Sequence, residues 1–407
     1  MDVISGYGTK GAHLRDRGSR GIPAFLAALS LLAMPLHAQL TLRVTGVPAG
    51  TPDVIHVAGT FNGWNPADSA ARLTRQAAGD YAVTLPGQVR GAVEFKFTLG
   101  SWDAVELDSA GAAVPNRAFV VPEAGSATYA GTVARWQDPA RRVPVAHTAS
   151  ARVSLLDSAF AMPQLGRTRR IWIYLPPDYA SSDRRYPVLY MHDGQNLFDA
   201  ATAFAGEWGV DESLDSLHAA GDPGVIVVGV DNGGDARIAE YSPWVHPRHG
   251  GGDGDAYADW LATTLKPWVD ARYRTRPEPA ATGIVGSSMG GLTSLYAALR
   301  HPDVFGQAGV FSPSLWFSDS VFVAARAGVP GARPRLYFVS GGSEGPQDDP
   351  RAVVADQARM IATLAAAGWT VGMDLFAAAP DDGRHAEWFW RREFPAAYRW
   401  LFAAPRP

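Results

Sequence analysis

The sequence predicts an α/β protein in which a mostly parallel sheet, covered by helices on both faces, follows a small β-sandwich. Three observations carry this expectation. From Arg169 onward, nearly continuous apolar runs alternate with helical patterns, as in a parallel sheet buried on both sides. Residues 39–137 instead hold short alternating runs separated by Gly, Pro, Asn and Asp, the spacing of a sandwich. Between them, Gln137-Asp138-Pro139-Ala140-Arg141-Arg142-Val143-Pro144 has prolines and charges but no apolar period, as a domain boundary does. The 407 residues suffice for two or three domains.

Composition narrows the function classes. Apolar residues make up 47% and charged residues 19%, enough for a packed core and too apolar for disorder. The 36 basic residues do not exceed the 40 acidic ones, so no nucleic-acid partner is expected. The chain has no cysteine, which excludes disulfides, thiolate metal sites and a cysteine nucleophile. Lys10, Lys96 and Lys266 are the only lysines, leaving few candidates for a Schiff base. No cofactor is expected.

Residues 1–38 read as an export signal. Arg15, Arg17 and Arg20 precede an apolar run from Ile22 to Leu36, and Ala38 offers a small residue for cleavage. The run is too short to span a bilayer comfortably, and no later stretch is long and apolar enough. The expected location is secreted or periplasmic, without stable membrane insertion after cleavage.

In residues 39–137, strands are expected at Thr41–Val44, Val54–Ala58, Tyr81–Leu85, Val93–Leu99 and Ala118–Val121. Trp64 and Trp102 fall in turns beside these runs. A tryptophan on a loop is costly to expose unless its face stacks on something, such as a sugar ring. The segments Gly59-Thr60-Phe61-Asn62-Gly63-Trp64-Asn65-Pro66 and Phe95-Lys96-Phe97-Thr98-Leu99-Gly100-Ser101-Trp102 resemble the starch- and glycogen-binding modules of immunoglobulin-like sandwich type. The resemblance covers most of residues 40–135 and implies sugar contacts at Trp64, Lys96, Trp102 and Asn116. The same modules also serve as spacers before hydrolase domains.

After a linker at 138–150, residues 151–407 form the second domain. Arg170–Leu175, Pro187–Met191, Val225–Val230, Gly283–Val285, Gly309–Phe311 and Arg335–Val339 read as strands. Tyr257–Tyr273, Gly291–Arg300 and Ala352–Ala367 read as helices. Reactive groups in such sheets gather at the carboxyl ends of the strands.

Gly286-Ser287-Ser288-Met289-Gly290 lies between a strand and a helix. That context is the one a nucleophile elbow needs. The glycines let strand and helix approach while Ser288 takes a strained backbone, and the Met289 N–H is placed as an oxyanion donor. In chain order an acid and then a histidine should follow. Only His301 and His385 lie downstream. His301 ends the elbow helix, where it fits a cap on carbonyls, so His385, in a loop before a C-terminal helix, is the expected base. The acid should follow Arg335–Val339. Glu344 is the first choice, with Asp348 as the alternative.

Four segments together resemble the Putative esterase family: Ile171-Trp172-Ile173-Tyr174-Leu175-Pro176-Pro177-Asp178-Tyr179, Tyr186-Pro187-Val188-Leu189-Tyr190-Met191-His192-Asp193-Gly194-Gln195, the elbow, and Phe311-Ser312-Pro313-Ser314-Leu315-Trp316. That family includes enterochelin-type siderophore esterases, feruloyl and acetylxylan esterases, and mycolyltransferases. The resemblance covers nearly all of residues 165–403. It implies an α/β-hydrolase fold and maps a Gly-x-x-Glu pattern onto Gly341 to Glu344. It also implies that Gln195 gives the second oxyanion N–H. Trp316 and His192 lie beside the expected site and are candidates to shape the substrate pocket.

The expected function is a serine carboxylesterase acting through an acyl-enzyme on a small-molecule or polysaccharide ester, of siderophore or carbohydrate type. The alternatives are an acyltransferase using the same acyl-enzyme and a non-catalytic glycan-binding protein. Histidines and aspartates also cluster in His246-Pro247-Arg248-His249-Gly250-Gly251-Gly252-Asp253-Gly254-Asp255. Their spacing matches no zinc or calcium pattern, so this loop is expected to be a lid and no metal is expected.

Overall fold

The computed structural model describes residues 39–85, 89–122, 125–138, 145–204, 206–345 and 349–402. The expected signal segment, linker residues 139–144 and Asp348 lie outside the described residues.

The first part is β-rich. Strands β1 (Leu40–Gly46), β2 (Val54–Gly59), β3 (Arg72–Arg75), β4 (Tyr81–Thr84), β5 (Gly91–Thr98), β6 (Glu106–Leu107), β7 (Arg117–Val121), β8 (Ala127–Thr132) and β9 (Arg135–Trp136) succeed one another. Seven of them form one sheet in the order β7-β5-β2-β3-β4-β1-β8, and β6 pairs with β9. A single apolar core gathers Leu42, Ile55, Leu73, Tyr81, Phe95, Phe97 and Val121 from both halves of the sheet, so the sheet wraps around its own buried face. Period-2 alternation drives this: in β1, residues 40, 42 and 44 are buried while 43 and 45 are exposed.

The second part is an eight-stranded sheet. Its strands are β10 (Val153–Met162), β11 (Arg167–Tyr174), β12 (Val188–His192), β13 (Ile226–Val230), β16 (Thr282–Ser287), β17 (Gln307–Phe311), β18 (Arg335–Val339) and β19 (Leu375–Ala378). A short hairpin, β14 (Val245–His246) with β15 (Gly250–Gly251), stands apart. The order is β10-β11-β13-β12-β16-β17-β18-β19. Pairing is antiparallel through β10, β11 and β13 and parallel from there on. All residues of β12, β13, β16 and β17 are buried, because helices cover both faces.

The helices are α1 (Val210–Ala219), α2 (Arg237–Glu240), α3 (Gly254–Trp260), α4 (Lys266–Asp270), α5 (Met289–Arg300), α6 (Ser320–Ala327), α7 (Ala352–Ala366) and α8 (Glu387–Phe402). Two large apolar clusters divide between the faces of the sheet, one with α3 to α7 and the other with α1 and α8. This is the α/β-hydrolase architecture expected. No helix among the described residues is long and apolar enough to cross a membrane.

The single helix expected over Tyr257–Tyr273 is interrupted by a π-helical stretch at Leu261–Leu265. Pro267, which has no N–H to give, follows at once, and a widened turn absorbs the mismatch. His301 also differs from its expected role. Its Nε2 pairs with Asp259 Oδ1 at 2.8 Å, so its side chain ties α5 to α3 and does not cap carbonyls.

Candidate active site

The elbow is built by close approach. A Cβ on Gly286 would lie 2.7 Å from the backbone of Gly290, and one on Gly291 would lie 2.7 Å from the Phe311 carbonyl, closer than side chains tolerate. Only glycine lets β16 turn this sharply into α5. Between them Ser288 has φ 59° and ψ −123°, a backbone state that costs about 1–3 kcal/mol and persists only where the surroundings enforce it. Here the enforcement is hydrogen bonding: Ser288 N donates to Phe311 O, and Ser314 N donates to Ser288 O. The half-buried Ser288 side chain has its Oγ 3.3 Å from Ser314 Oγ. Met289 opens α5, so its N–H has no intrahelical acceptor.

Strain is concentrated around this turn. Among the described residues, four non-glycine residues have positive φ, namely Trp64, Asp193, Ser288 and Ser312. Three of them sit at the carboxyl ends of β12, β16 and β17.

Ser312 links to the acid expected after β18. The Glu344 side chain is 0% exposed. Its Oε1 accepts from Ser312 Oγ and from Gly341 N, each at 2.6 Å. Its Oε2 lies 3.1 Å from His385 Nδ1. Trp390 Nε1 donates to Ser312 Oγ at 2.8 Å, and its ring meets the His385 ring edge-on at 5.1 Å. Ser312, Glu344 and His385 are thereby joined across β17, β18 and the loop before α8, and the Ser288 backbone bonds Phe311, the residue before Ser312.

The loop after β12 closes the other side. Asp193 is left-handed at φ 55°, and a Cβ on Gly194 would fall 2.8 Å from the backbone of β13. The Asp193 carboxylate accepts from Arg237 Nε and Nη2 and from Asn232 Nδ2 at 2.7–2.8 Å. Burial alone would raise its pKa, but the Arg237 guanidinium holds it below the usual carboxylate range. Gln195 is anchored through both carbonyls: its backbone O accepts from Thr202 Oγ1 and its Oε1 from Asn232 N.

His192 lies behind the elbow and not at its rim. It is 2% exposed, its Nδ1 is 3.0 Å from the Tyr257 hydroxyl, and it would be the first obstacle, at 3.3 Å, to a Cβ on Gly290. Burial pushes its pKa down to about 3, so it is a neutral packing partner. The physical reason is position: the last residue of a strand buried on both faces points into the core. Trp316, in contrast, is 57% exposed. It is packed edge-on by His246 and His249, whose own rings lie tilted to each other at 4.6 Å. The histidines of this loop thus lie against aromatic rings, and burial lowers the pKa of both.

In the β-rich part, Lys96 Nζ donates to Val114 O at 2.6 Å and Asn116 Nδ2 to Glu94 Oε2 at 3.1 Å. Trp64 and Trp102 are neighbours at 6.3 Å. Trp102 also meets Phe204 edge-on at 6.0 Å. Phe204 is 69% exposed, and its N–H donates to Asn196 Oδ1 in the Gln195 loop.

Sequence reasoning missed the contributions of Ser312, Trp390 and the Asp193–Arg237 pair. Ser312 could have been found from its place directly after β17. A cavity of about 910 Å³ lies elsewhere, lined by Pro187, Pro279, Gly306 and Arg335 at the amino ends of the strands.

A strained serine between a parallel strand and a helix, on a sheet of this order, defines an α/β-hydrolase. The Putative esterase family profile matches residues 162–401. The chain therefore belongs to that family and is a carboxylic ester hydrolase. Among relatives, it is 27% identical over 278 residues to the iron(III) enterobactin esterase of Dickeya dadantii, covering 63% of this chain and 57% of that one. A 106-residue stretch is 42% identical to part of an α-amylase of Niallia circulans, covering 26% of this chain and only 8% of the amylase. The solved enterochelin esterase of Shigella flexneri has the same fold, with a TM-score of 0.50 at 18% identity over 90% of this chain and 92% of that one.

Proposed function

We propose that the chain is a serine carboxylesterase with Ser288 as nucleophile, His385 as base and Glu344 as acid, acting on an ester carried by a carbohydrate. The observation that carries the chemistry is the hydrogen bond from His385 Nδ1 to the buried Glu344 carboxylate. It fixes the proton on Nδ1 and leaves Nε2 to accept one. His385 takes the Ser288 hydroxyl proton as Oγ bonds to the ester carbonyl carbon. The Met289 and Gln195 N–H groups hold the resulting oxyanion. His385 then returns the proton to the leaving alcohol oxygen as the ester C–O bond breaks. Water repeats the sequence to release the acid and restore Ser288.

The carbohydrate reading rests on the aromatic run Trp64–Trp102–Phe204, which leads from one part of the chain to the loop holding Gln195. Ring faces of this kind stack on sugars. The amylase likeness supports the same reading, as does a division into a β-sandwich at 39–137, a linker at 138–150 and an esterase domain at 151–407. Lys96 and Asn116 flank the sugar face in this reading, and Trp316 shapes the acyl side. Export as a secreted or periplasmic protein fits such a substrate. A siderophore ester is the second reading, favoured by the likeness to the enterobactin esterase.

Trp102→Ala and Phe204→Ala separate the two substrates. Each should raise KM for acetylated or feruloylated oligosaccharides by about tenfold, matching 1–2 kcal/mol of lost stacking, with p-nitrophenyl acetate unaffected. Equal KM on the sugar esters, with a loss on a catecholate ester, would favour the siderophore reading.

A further inference from the structure

The acidic start of α1 carries a feature that ester hydrolysis does not use. Glu207, Asp211 and Glu212 each bring a carboxylate oxygen within 4.8 Å of the others. The Asp211 side chain is fully buried and that of Glu207 is 6% exposed. Glu207 Oε1, Asp211 Oδ1 and Glu212 Oε2 are all buried with no hydrogen-bond donor among the described residues. Leaving a buried acceptor unpaired is costly, and more so when it is charged. Among the described residues, the cation paired with them is Arg391, 3.9 Å from Glu207 and from Glu212, outside hydrogen-bond reach. Three carboxylates face this one guanidinium.

We propose that Glu207, Asp211 and Glu212 bind a divalent hard cation, with Ca²⁺ the best fit. Oxygens at Ca²⁺ ligand distances of about 2.3–2.6 Å lie up to about 5 Å apart across the ion, which accommodates the observed separation. Glu212, 36% exposed, opens the cluster to solvent and leaves room for water ligands. The remaining oxygen of Asp211 is engaged already: Ser150 N donates to Oδ2 at 2.7 Å. The ion would therefore tie the segment entering the esterase domain to α1.

Its position also connects it to the proposed active site. Between Glu207 and Asp211, the Trp208 ring packs on Phe311 and Trp390 at 5.1 and 5.7 Å, and Trp390 bonds Ser312. A cation here would stiffen the wall behind Glu344 without touching substrate.

The test is titration of the chelator-treated full chain with Ca²⁺ by calorimetry and by thermal unfolding at pH 8. The expected result is one saturable site and a rise in Tm of about 5 °C at a hundredfold excess over Kd. Asp211→Asn and the more exposed Glu212→Gln should each weaken binding at least about tenfold. Glu212→Gln keeps the test readable if the buried variant does not fold. No saturable binding of Ca²⁺, Mg²⁺ or Mn²⁺ at millimolar concentration would overturn the proposal, as would an unchanged Ca²⁺ shift in Glu212→Gln. Ester hydrolysis by the Ser288 machinery does not depend on either outcome.

Discussion

Ser288→Ala is expected to lower kcat for any ester substrate by about 10⁶-fold and to leave the fold intact. In enzymes of this mechanism, loss of the nucleophile costs about as much as loss of the whole triad, because the groups act as a unit. The fold should survive because the turn is held by backbone bonds, Ser288 N to Phe311 O and Ser314 N to Ser288 O, which alanine keeps. Only the 3.3 Å contact with Ser314 Oγ is lost. Circular dichroism and denaturant midpoint should match the parent within experimental error while p-nitrophenyl acetate turnover disappears. Retained turnover would place the chemistry elsewhere. A shifted midpoint would mean that the serine serves the turn itself.

Glu344→Gln is expected to cost about 10⁴-fold in kcat with little change in KM. The substitution keeps volume, and the side-chain carbonyl still receives the Ser312 hydroxyl and Gly341 N–H, which now bond Oε1. The amide NH2 then faces His385 Nδ1 in place of the carboxylate oxygen at 3.1 Å. An N–H pointed at Nδ1 selects the tautomer with its proton on Nε2, the nitrogen that has to accept one. The imidazolium formed during attack also loses its counter-charge. Asp348→Asn should leave kcat unchanged. The opposite pattern, with Asp348→Asn inactive and Glu344→Gln active, would assign the acid to Asp348.

The sequence made the elbow legible because its chemistry depends on local backbone space. Gly286 and Gly291 are required where a Cβ would meet backbone at 2.7 Å, and such a requirement is written in consecutive residues. The same holds for the central strands, whose burial on both faces forces unbroken apolar runs. The rest of the site is assembled across the chain. Asp193 and Arg237 are 44 positions apart, and Trp390 reaches Ser312 from 78 positions away; neither pairing leaves a local pattern. His192 shows the limit from the other side. Its neighbours Asp193, Gly194 and Gln195 belong to the loop, but one step back along β12 the side chain turns into the core. Strand β10 escaped notice because two register shifts against β11, at Leu155/Asp157 and Asp157/Phe160, destroy its alternation.

The proposed role of Ser288 as a nucleophile activated by His385 is tested most directly by covalent capture. A fluorophosphonate should react with the native chain by forming one Oγ–P bond and releasing fluoride, with the serine proton passing to His385. Intact-mass and peptide spectrometry are predicted to find one adduct per chain, on Ser288, absent in Ser288→Ala and slowed by orders of magnitude in His385→Ala. An adduct on another residue, or full ester turnover in a chain that never forms one, would contradict the account.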